Sequence, residues 1–303
     1  MTTASWAPEA YGGVTLLRAA NGGGYPYGNS LLVRGSAGTL LVDPSLALVG
    51  DGQGEVPAPD AVFVSHAHED HLVGIDGYAA PVHVHSADLA AVHDSAVLLA
   101  GYGLPEAATT EFAATLEADF HVRSRPDAVG VPDGHRFDLG DRTATVVHLP
   151  GHTVGHSGLL VEPDGFLYIA DIDLTSFGPY YGDRVSSLEG FERSLEICRT
   201  VDARWFGTFH QKGVVEGAEE FRGRLRAYRD VIVRRDAALT EFLAEPRTLV
   251  DVVAHRFVYR PHVEAPHVTT VEARTAEQHI ARLVRTGVVA EVEPGRFRAV
   301  APG

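Results

Sequence analysis

The sequence predicts an α+β protein: two β-sheets packed together with helices outside them, followed by a C-terminal helical, winged-helix-like extension. Three observations carry this prediction. Short apolar runs of strand length recur through the first two thirds of the chain and alternate with helix-length amphipathic stretches. A long amphipathic helix starts near Glu216. The chain then closes with a helix–helix–hairpin pattern. The 303 residues are 45% hydrophobic, enough for a packed core in one large domain or two. The change of pattern divides the chain into a first part, 1–215, and a tail, 216–303.

Taken in order, Val14–Arg18 reads as a strand and Asn21-Gly22-Gly23-Gly24 as a turn or flexible loop. The aromatic segment Tyr25-Pro26-Tyr27-Gly28 either overhangs a site or forms a surface tip. Strands follow at Ser30–Val33 and Thr39–Val42. Asp43 ends the second and is expected to anchor a loop through hydrogen bonds. Asp60–Val64 is a buried strand. Pro81–His85 is another, with His83 and His85 sharing a face in a structural role. Ser86–Leu99 reads as one helix capped by Ser86, and Leu104–Phe120 as a second helical stretch. Strands are expected at 137–139, 143–148, 158–161 and 166–169, turning at Gly140-Asp141 and Pro163-Asp164-Gly165. Leu188–Arg199 is a helix, Arg204–Thr208 a strand. In the tail, Glu216–Leu243 forms a helix opened by Glu216, Glu219 and Glu220, as the helix dipole favours. Helices over Thr248–Ala254 and Val271–Arg285 precede the hairpin strands Val288–Val292 and Arg296–Val300.

The densest chemistry lies in Ser65-His66-Ala67-His68-Glu69-Asp70-His71. Three imidazoles and a carboxylate within six residues suit a metal loop, and they can feed two neighbouring positions. Neutral imidazole and carboxylate fit zinc best, with iron or manganese also accepted. The net charge is −15. Residues 1–215 hold 11 basic and 27 acidic side chains, against 14 and 13 in the tail. An acidic catalytic part argues against polyanionic substrates. The single cysteine, Cys198, excludes an internal disulfide and reads as a core residue. No apolar run is long enough to cross a bilayer, and Met1–Trp6 begins no signal segment. A cytoplasmic location is therefore expected.

His66-x-His68-x-Asp70-His71 resembles the HxHxDH signature of the metallo-β-lactamase fold superfamily. Further stretches match in order: Asn29-Ser30-Leu31-Leu32 and Leu41-Val42-Asp43-Pro44, Pro150-Gly151-His152-Thr153-Val154-Gly155-His156-Ser157, Tyr168-Ile169-Ala170-Asp171, and Phe209-His210. Ala170 departs from the commoner glycine. The resemblance covers about residues 12–215 and implies a four-layered αββα sandwich. It also implies that His66, His68 and His152 hold one zinc ion, that Asp70, His71 and His210 hold a second, and that Asp171 bridges them. Two such cations lower the pKa of a shared water to about 7 or below, so that hydroxide attacks a carbonyl without a serine or cysteine nucleophile. Asp70 is the candidate that orients it.

Other site candidates are expectations from position. His156 lies four after His152, to meet an oxyanion or support the loop. Asp173 follows Asp171 as a supporting carboxylate. Tyr180 and Tyr181 come just after the bridging position and offer hydroxyls to substrate or oxyanion. Lys212, the only lysine, and Arg184 are candidate handles for an anionic substrate group.

These residues predict a dinuclear zinc hydrolase of a small ester-like bond, a thioester or a lactone. The missing export signal argues against β-lactam hydrolysis. An iron-dependent, persulfide-dioxygenase-like oxygenase on the same fold is the alternative reading. A ribonuclease or nucleic-acid binder using Arg274, Arg282, Arg285, Arg296 and Arg298 is another. Interleaved glutamates argue against nucleic acid. A homodimer contact through the tail, or a lid over a neighbouring site, explains the extension as well. No membrane partner is expected.

Overall fold

The computed structural model describes residues 6–49 and 56–300; the Met1–Ser5 stretch read for a leader lies outside them. No helix among the described residues is long and apolar enough to cross a membrane. The first sheet has seven strands in chain order: β1 (Trp6–Tyr11), β2 (Val14–Ala19), β3 (Ser30–Arg34), β4 (Thr39–Val42), β5 (Ala61–Val64), β6 (Val82–His85) and β7 (Val129–Val131). It is antiparallel through β4 and parallel from β4 to β7. The second sheet contains β8 (Arg136–Asp138), β9 (Thr143–His148), β10 (Ser157–Glu162), β11 (Phe166–Tyr168), β12 (Trp205–Gly207) and β13 (Val214–Glu216), again in chain order.

Alternation along the strands creates the layers. Leu40, Val42 and Phe63 point to the second sheet, where they meet Val146, Leu159, Val161 and Phe166. Their neighbours Leu41, Val62 and Val64 point outward, under Val92, Leu98 and Leu116. Those three come from α2 (Leu89–His93), α3 (Ser95–Tyr102) and α4 (Glu106–Ala118), which follow the short α1 (Glu69–Leu72). On the far side, Leu167 and Phe206 meet Phe191 and Leu195 of α5 (Leu188–Thr200) and Phe221 and Leu225 of α6 (Ala218–Phe242). Strands covered on both faces must be apolar throughout, which is why Leu31-Leu32-Val33 and Val62-Phe63-Val64 read as runs. The result is the αββα sandwich.

One expected helix is two. Ser86–Leu99 breaks at Asp94, which is extended and caps α3 by accepting from the Ala96 amide. Asp88, at the start of the first piece, caps nothing there because its carboxylate is drawn to the site loops.

The tail contains β14 (Arg247–Thr248), α7 (Leu249–His255), α8 (Val268–Arg285), β15 (Val289–Glu293) and β16 (Arg296–Ala299). Thr248 and Asp251 form a reciprocal capping box at the start of α7. The tail has its own core of Leu239, Leu243, Val252, Ala276, Ile280 and Leu283. Phe221, Leu225, Tyr228 and Ile232, earlier on α6, belong instead to the core over the second sheet. This one helix thus joins the two parts and does not merely open the second. Arg282 and Arg285 of α8 pair with Glu192 and Glu189 of α5, the first pair partly buried and the second at the surface.

Candidate metal centre

The seven residues predicted as ligands come together where the two sheets meet at one end of the sandwich. They form three overlapping groups: His66, His68 and His152; His66, His71 and Asp171; and Asp70, His71 and His210. The loop after β5 brings the first cluster, the loop after β9 brings His152, and the turns after β11 and β12 bring Asp171 and His210. Ala170 adopts φ +44, a left-handed conformation that glycine takes freely and alanine takes at a cost of about 1–2 kcal/mol.

His68 Nδ1 lies 3.1 Å from His66 Nε2 and 3.0 Å from His152 Nε2. Asp171 faces both halves of the centre. Its Oδ2 is 3.3 Å from His152 Nε2 and 3.7 Å from His210 Nε2, while Oδ1 is 3.1 Å from His71 Nε2. Asp70 Oδ2 is 3.0 Å from His210 Nε2.

The other nitrogen of each ring shows why these atoms fit metal ions. His152 Nδ1 donates to the Tyr180 carbonyl and His210 Nδ1 to the Gly23 carbonyl, while His71 Nδ1 lies 3.0 Å from Asp43 Oδ2 and 3.2 Å from Ser65 Oγ. His66 Nδ1 has Ser65 Oγ at 3.0 Å. His68 is turned the opposite way, with Nε2 3.1 Å from Asp183 Oδ2 in an ion-pair contact. Each outward nitrogen is committed to an oxygen, which leaves the inward nitrogens to converge. Their spacing is near the ~3.3 Å that two imidazoles show when they share a tetrahedral ion at about 2.0–2.1 Å. Outer oxygens that fix ring tautomers are the usual companions of metal-binding histidines.

With protons as the only cations, the charges balance differently. Burial opposes a charge on His66, His68, His71 and His210, but neighbouring carboxylates override it at the last three. Asp183 holds His68 at about 9. Asp171 and Asp70 hold His210 at about 10, and Asp43, Asp171 and Asp70 hold His71 well above the ordinary imidazole range. His66, buried among other imidazoles, is driven well below it. Ligation needs neutral rings, so metal uptake must displace these protons. Calorimetric titration at pH 7 in buffers of different ionisation heat is therefore expected to show proton release, with affinity rising towards pH 9–10. The stability of the metal-free protein runs the other way. The contribution of raised histidines is complete below the unfolded value of about 6.5. It is lost as pH rises through about 9 and 10. Buffer-independent heats would contradict this arrangement.

Three supporting carboxylates are not among the sequence candidates. Asp183 orients His68 and accepts from the Tyr180 hydroxyl. Asp88 accepts from the Ala67 and Gly155 amides and the Thr153 hydroxyl, tying the two histidine loops together. Glu69 accepts from the hydroxyls of Tyr25 and Tyr102. Asp88 was masked by an apparent helix start, and Asp183 by a loop whose path has no local signal. Asp43 does what a strand-end aspartate was expected to do, meeting the Ser65 amide, the Tyr168 hydroxyl and His71.

Two expected roles, those of Tyr181 and Lys212, need correction, and His156 takes the supporting alternative. Tyr181 is 1% exposed and points away from the centre, with its hydroxyl against His279 and Arg235. Its neighbour Tyr180 lines the cleft and takes the site-facing place. His156 is buried behind the ligands. Its Nδ1 donates to the Leu149 carbonyl and its Nε2 accepts from the Asp171 amide, which makes it a support for Asp171. Burial and nearby His152 push it down to about 3, in keeping with a neutral ring. Lys212 is exposed and lies outside the cleft lining. Asp173 lines the cleft and is braced on Thr175.

Above the centre lies a cleft of about 540 Å³. Tyr25, Tyr102, Leu104, Phe112, Phe177 and Tyr259 supply much of its wall, so the aromatic segment at Tyr25 overhangs the site. The tail contributes Tyr259, Pro266, His267 and Val271, and so covers this chain's own site. Among the described residues no arginine or lysine lines it.

Buried, tautomer-fixed imidazoles and carboxylates at the mouth of a two-sheet sandwich define a metal-dependent hydrolase. The sequence model of the metallo-beta-lactamase superfamily matches residues 23–210, and the chain belongs to that superfamily. It is 27% identical over 190 residues to the acyl-coenzyme A thioesterase MBLAC2 of Homo sapiens, a match spanning 56% of this chain and 67% of that one. It is 30% identical over 155 residues to an uncharacterized protein of Mycobacterium leprae, spanning 46% and 67%. Among solved structures, a metallo-beta-lactamase family protein of Thermus thermophilus superposes with TM-score 0.71 at 22% identity, covering 95% of this chain and 99% of the other. A beta-lactamase domain protein of Burkholderia ambifaria gives 0.72 at 19% identity, covering 99% and 95%. Both structural likenesses extend through the tail.

Proposed function

We propose that the protein is a dinuclear zinc hydrolase that cleaves a small ester-like bond, a thioester or a lactone. The observation that carries this reading is the convergence of five imidazoles and two carboxylates beneath a largely apolar cleft. His66, His68 and His152 would hold one ion, Asp70, His71 and His210 the other, and Asp171 would serve both. When bound, such ions polarise a carbonyl oxygen and lower the pKa of water enough for attack near neutral pH. The chain's own groups do the rest. Asp70 at the cleft floor orients the attacking water by accepting its hydrogen bond. The aromatic walls bind the acyl group and exclude bulk water from the reacting bond. Glu69, buried beside Asp70, is held in place by Tyr25 and Tyr102.

The thioester reading has support from the name of the human relative. The cleft qualifies it. With no arginine or lysine among the described residues of the lining, it offers a phosphate-bearing carrier no cationic handle. The reading therefore puts the acyl group and the scissile bond inside and leaves any phosphates outside.

The test combines metal analysis of protein purified without added metal with a panel of thioesters, lactones and phosphodiesters. About two zinc per chain, with turnover of neutral thioesters or lactones, is the expected result. Acyl-coenzyme A should give no better kcat/KM than the corresponding acyl-cysteamine thioester. Inert esters with fully loaded protein would sink the hydrolase assignment to this bond class. One iron per chain with oxygen consumption would favour the oxygenase reading.

A further inference from the structure

The sequence leaves the tail without a task, and the lining of the cleft shows only part of one. The loop between β11 and α5 carries two contacts that orient ligands of the same position. The Tyr180 carbonyl accepts from His152 Nδ1, and Asp183 Oδ2 lies 3.1 Å from His68 Nε2 as an ion-pair contact. The Ser186 hydroxyl reinforces the loop by donating to the His152 carbonyl and accepting from the Asp183 amide.

The opposite side of this loop is held from α6 and α8. Arg235 is buried, and its guanidinium spends its donors on the loop: Nη1 on the Pro179 carbonyl (2.7 Å) and the Tyr181 hydroxyl (3.0 Å), Nη2 on the Phe177 carbonyl (3.0 Å). The Tyr181 hydroxyl donates to His279 Nε2 at 2.8 Å, and His279 Nδ1 donates to Asp236 Oδ1 at 2.6 Å. Gln278 binds the Tyr181 carbonyl and the Leu188 amide. The loop presses so closely on these helices that a β-carbon at Gly178 would lie 2.5 Å from Val231, and one at Gly182 would lie 2.3 Å from Val271. A buried guanidinium is expensive unless its geometry is fully used. Here all its hydrogen bonds converge on one five-residue segment.

We propose that Arg235 is a positioning residue: with Tyr181 and His279 it locks the 177–183 loop and thereby orients His68 and His152, but not His71 or His210. The inference rests on the metal-centre reading above. It gives the tail a task within its own chain. The second position takes its outer contacts elsewhere, from Asp43 for His71 and from the Gly23 carbonyl for His210.

The test is cobalt(II) titration followed by visible absorption in two backgrounds. His210→Ala keeps the first position and His68→Ala keeps the second. Losing an outer contact of a metal-binding histidine costs roughly 10–100-fold in affinity. Arg235→Met is expected to weaken cobalt by about that factor in the His210→Ala background. In the His68→Ala background the change should stay below about threefold, well short of the outer-contact loss. Tyr181→Phe, which removes only the bridging hydroxyl, should act in the same direction with a smaller loss. Should Arg235→Met lack a folded circular-dichroism spectrum, Tyr181→Phe is judged by the same difference between backgrounds. Equal losses in both, or none in either, would overturn the positioning role. Failure of the unmodified protein to bind cobalt at all would instead overturn the metal-centre reading.

Discussion

Asp171→Ala is expected to leave at most one ion per chain and to lower kcat/KM by at least about 1000-fold. The bound ions contribute several kcal/mol of transition-state stabilisation, and about 1.4 kcal/mol corresponds to tenfold in rate. Asp171 is the residue through which both positions connect, with one oxygen near His71 and the other near His152 and His210. Metal analysis alongside steady-state rates on the best ester of the panel separates the two losses. Two ions retained with full activity would mean that Asp171 does not bridge. His156→Phe is the instructive companion. It removes the acceptor of the Asp171 amide without touching a ligand, so a partial loss in the same direction is expected.

Asp43→Ala is expected to cost about 3–5 kcal/mol of stability, the range for breaking a buried charged contact. Asp43 is 0% exposed, accepts from the Ser65 amide and the Tyr168 hydroxyl, and has Oδ2 3.0 Å from His71 Nδ1. The amide and the hydroxyl are left buried without their acceptor, His71 keeps Ser65 Oγ but loses a charged neighbour, and alanine is also poorly suited to the φ of +46 at this position. Urea unfolding of the metal-free protein reads this directly. A loss below about 1 kcal/mol would mean that water replaces the carboxylate. Asp43→Asn, which keeps one acceptor oxygen, should fall between the wild type and alanine.

Much of this was legible in the chain. Thr39–Val42 and Thr143–His148 form as strands with the bounds read from their apolar pattern. Where both neighbours of a strand are protein, burial writes itself into consecutive residues. The site loops were legible for a different reason. A ligand set needs particular atoms at short range, so His66, His68, Asp70 and His71 crowd into six residues. Asp43 could be placed because a charged residue that ends a buried strand has few other uses.

Tyr180 and Tyr181 show where that reading stops. As neighbours in an extended loop they face opposite ways, and only the packing of α6 and α8 decides which one sees the cleft. Asp88 and Asp183 orient ligands far away in sequence, so no local spacing marks them. Read alone, the sequence indicated the layers, and the resemblance of its motifs to the superfamily implied the candidate ligands and the hydrolase class. The tertiary structure decided which groups orient those ligands, what walls the cleft has, and that the tail serves its own chain's site. The layers follow from periodicity, and the candidate ligands from motifs that resemble those of a known family. What the tertiary structure decided follows from contacts between segments brought together only by folding, which leave no regular trace along the chain.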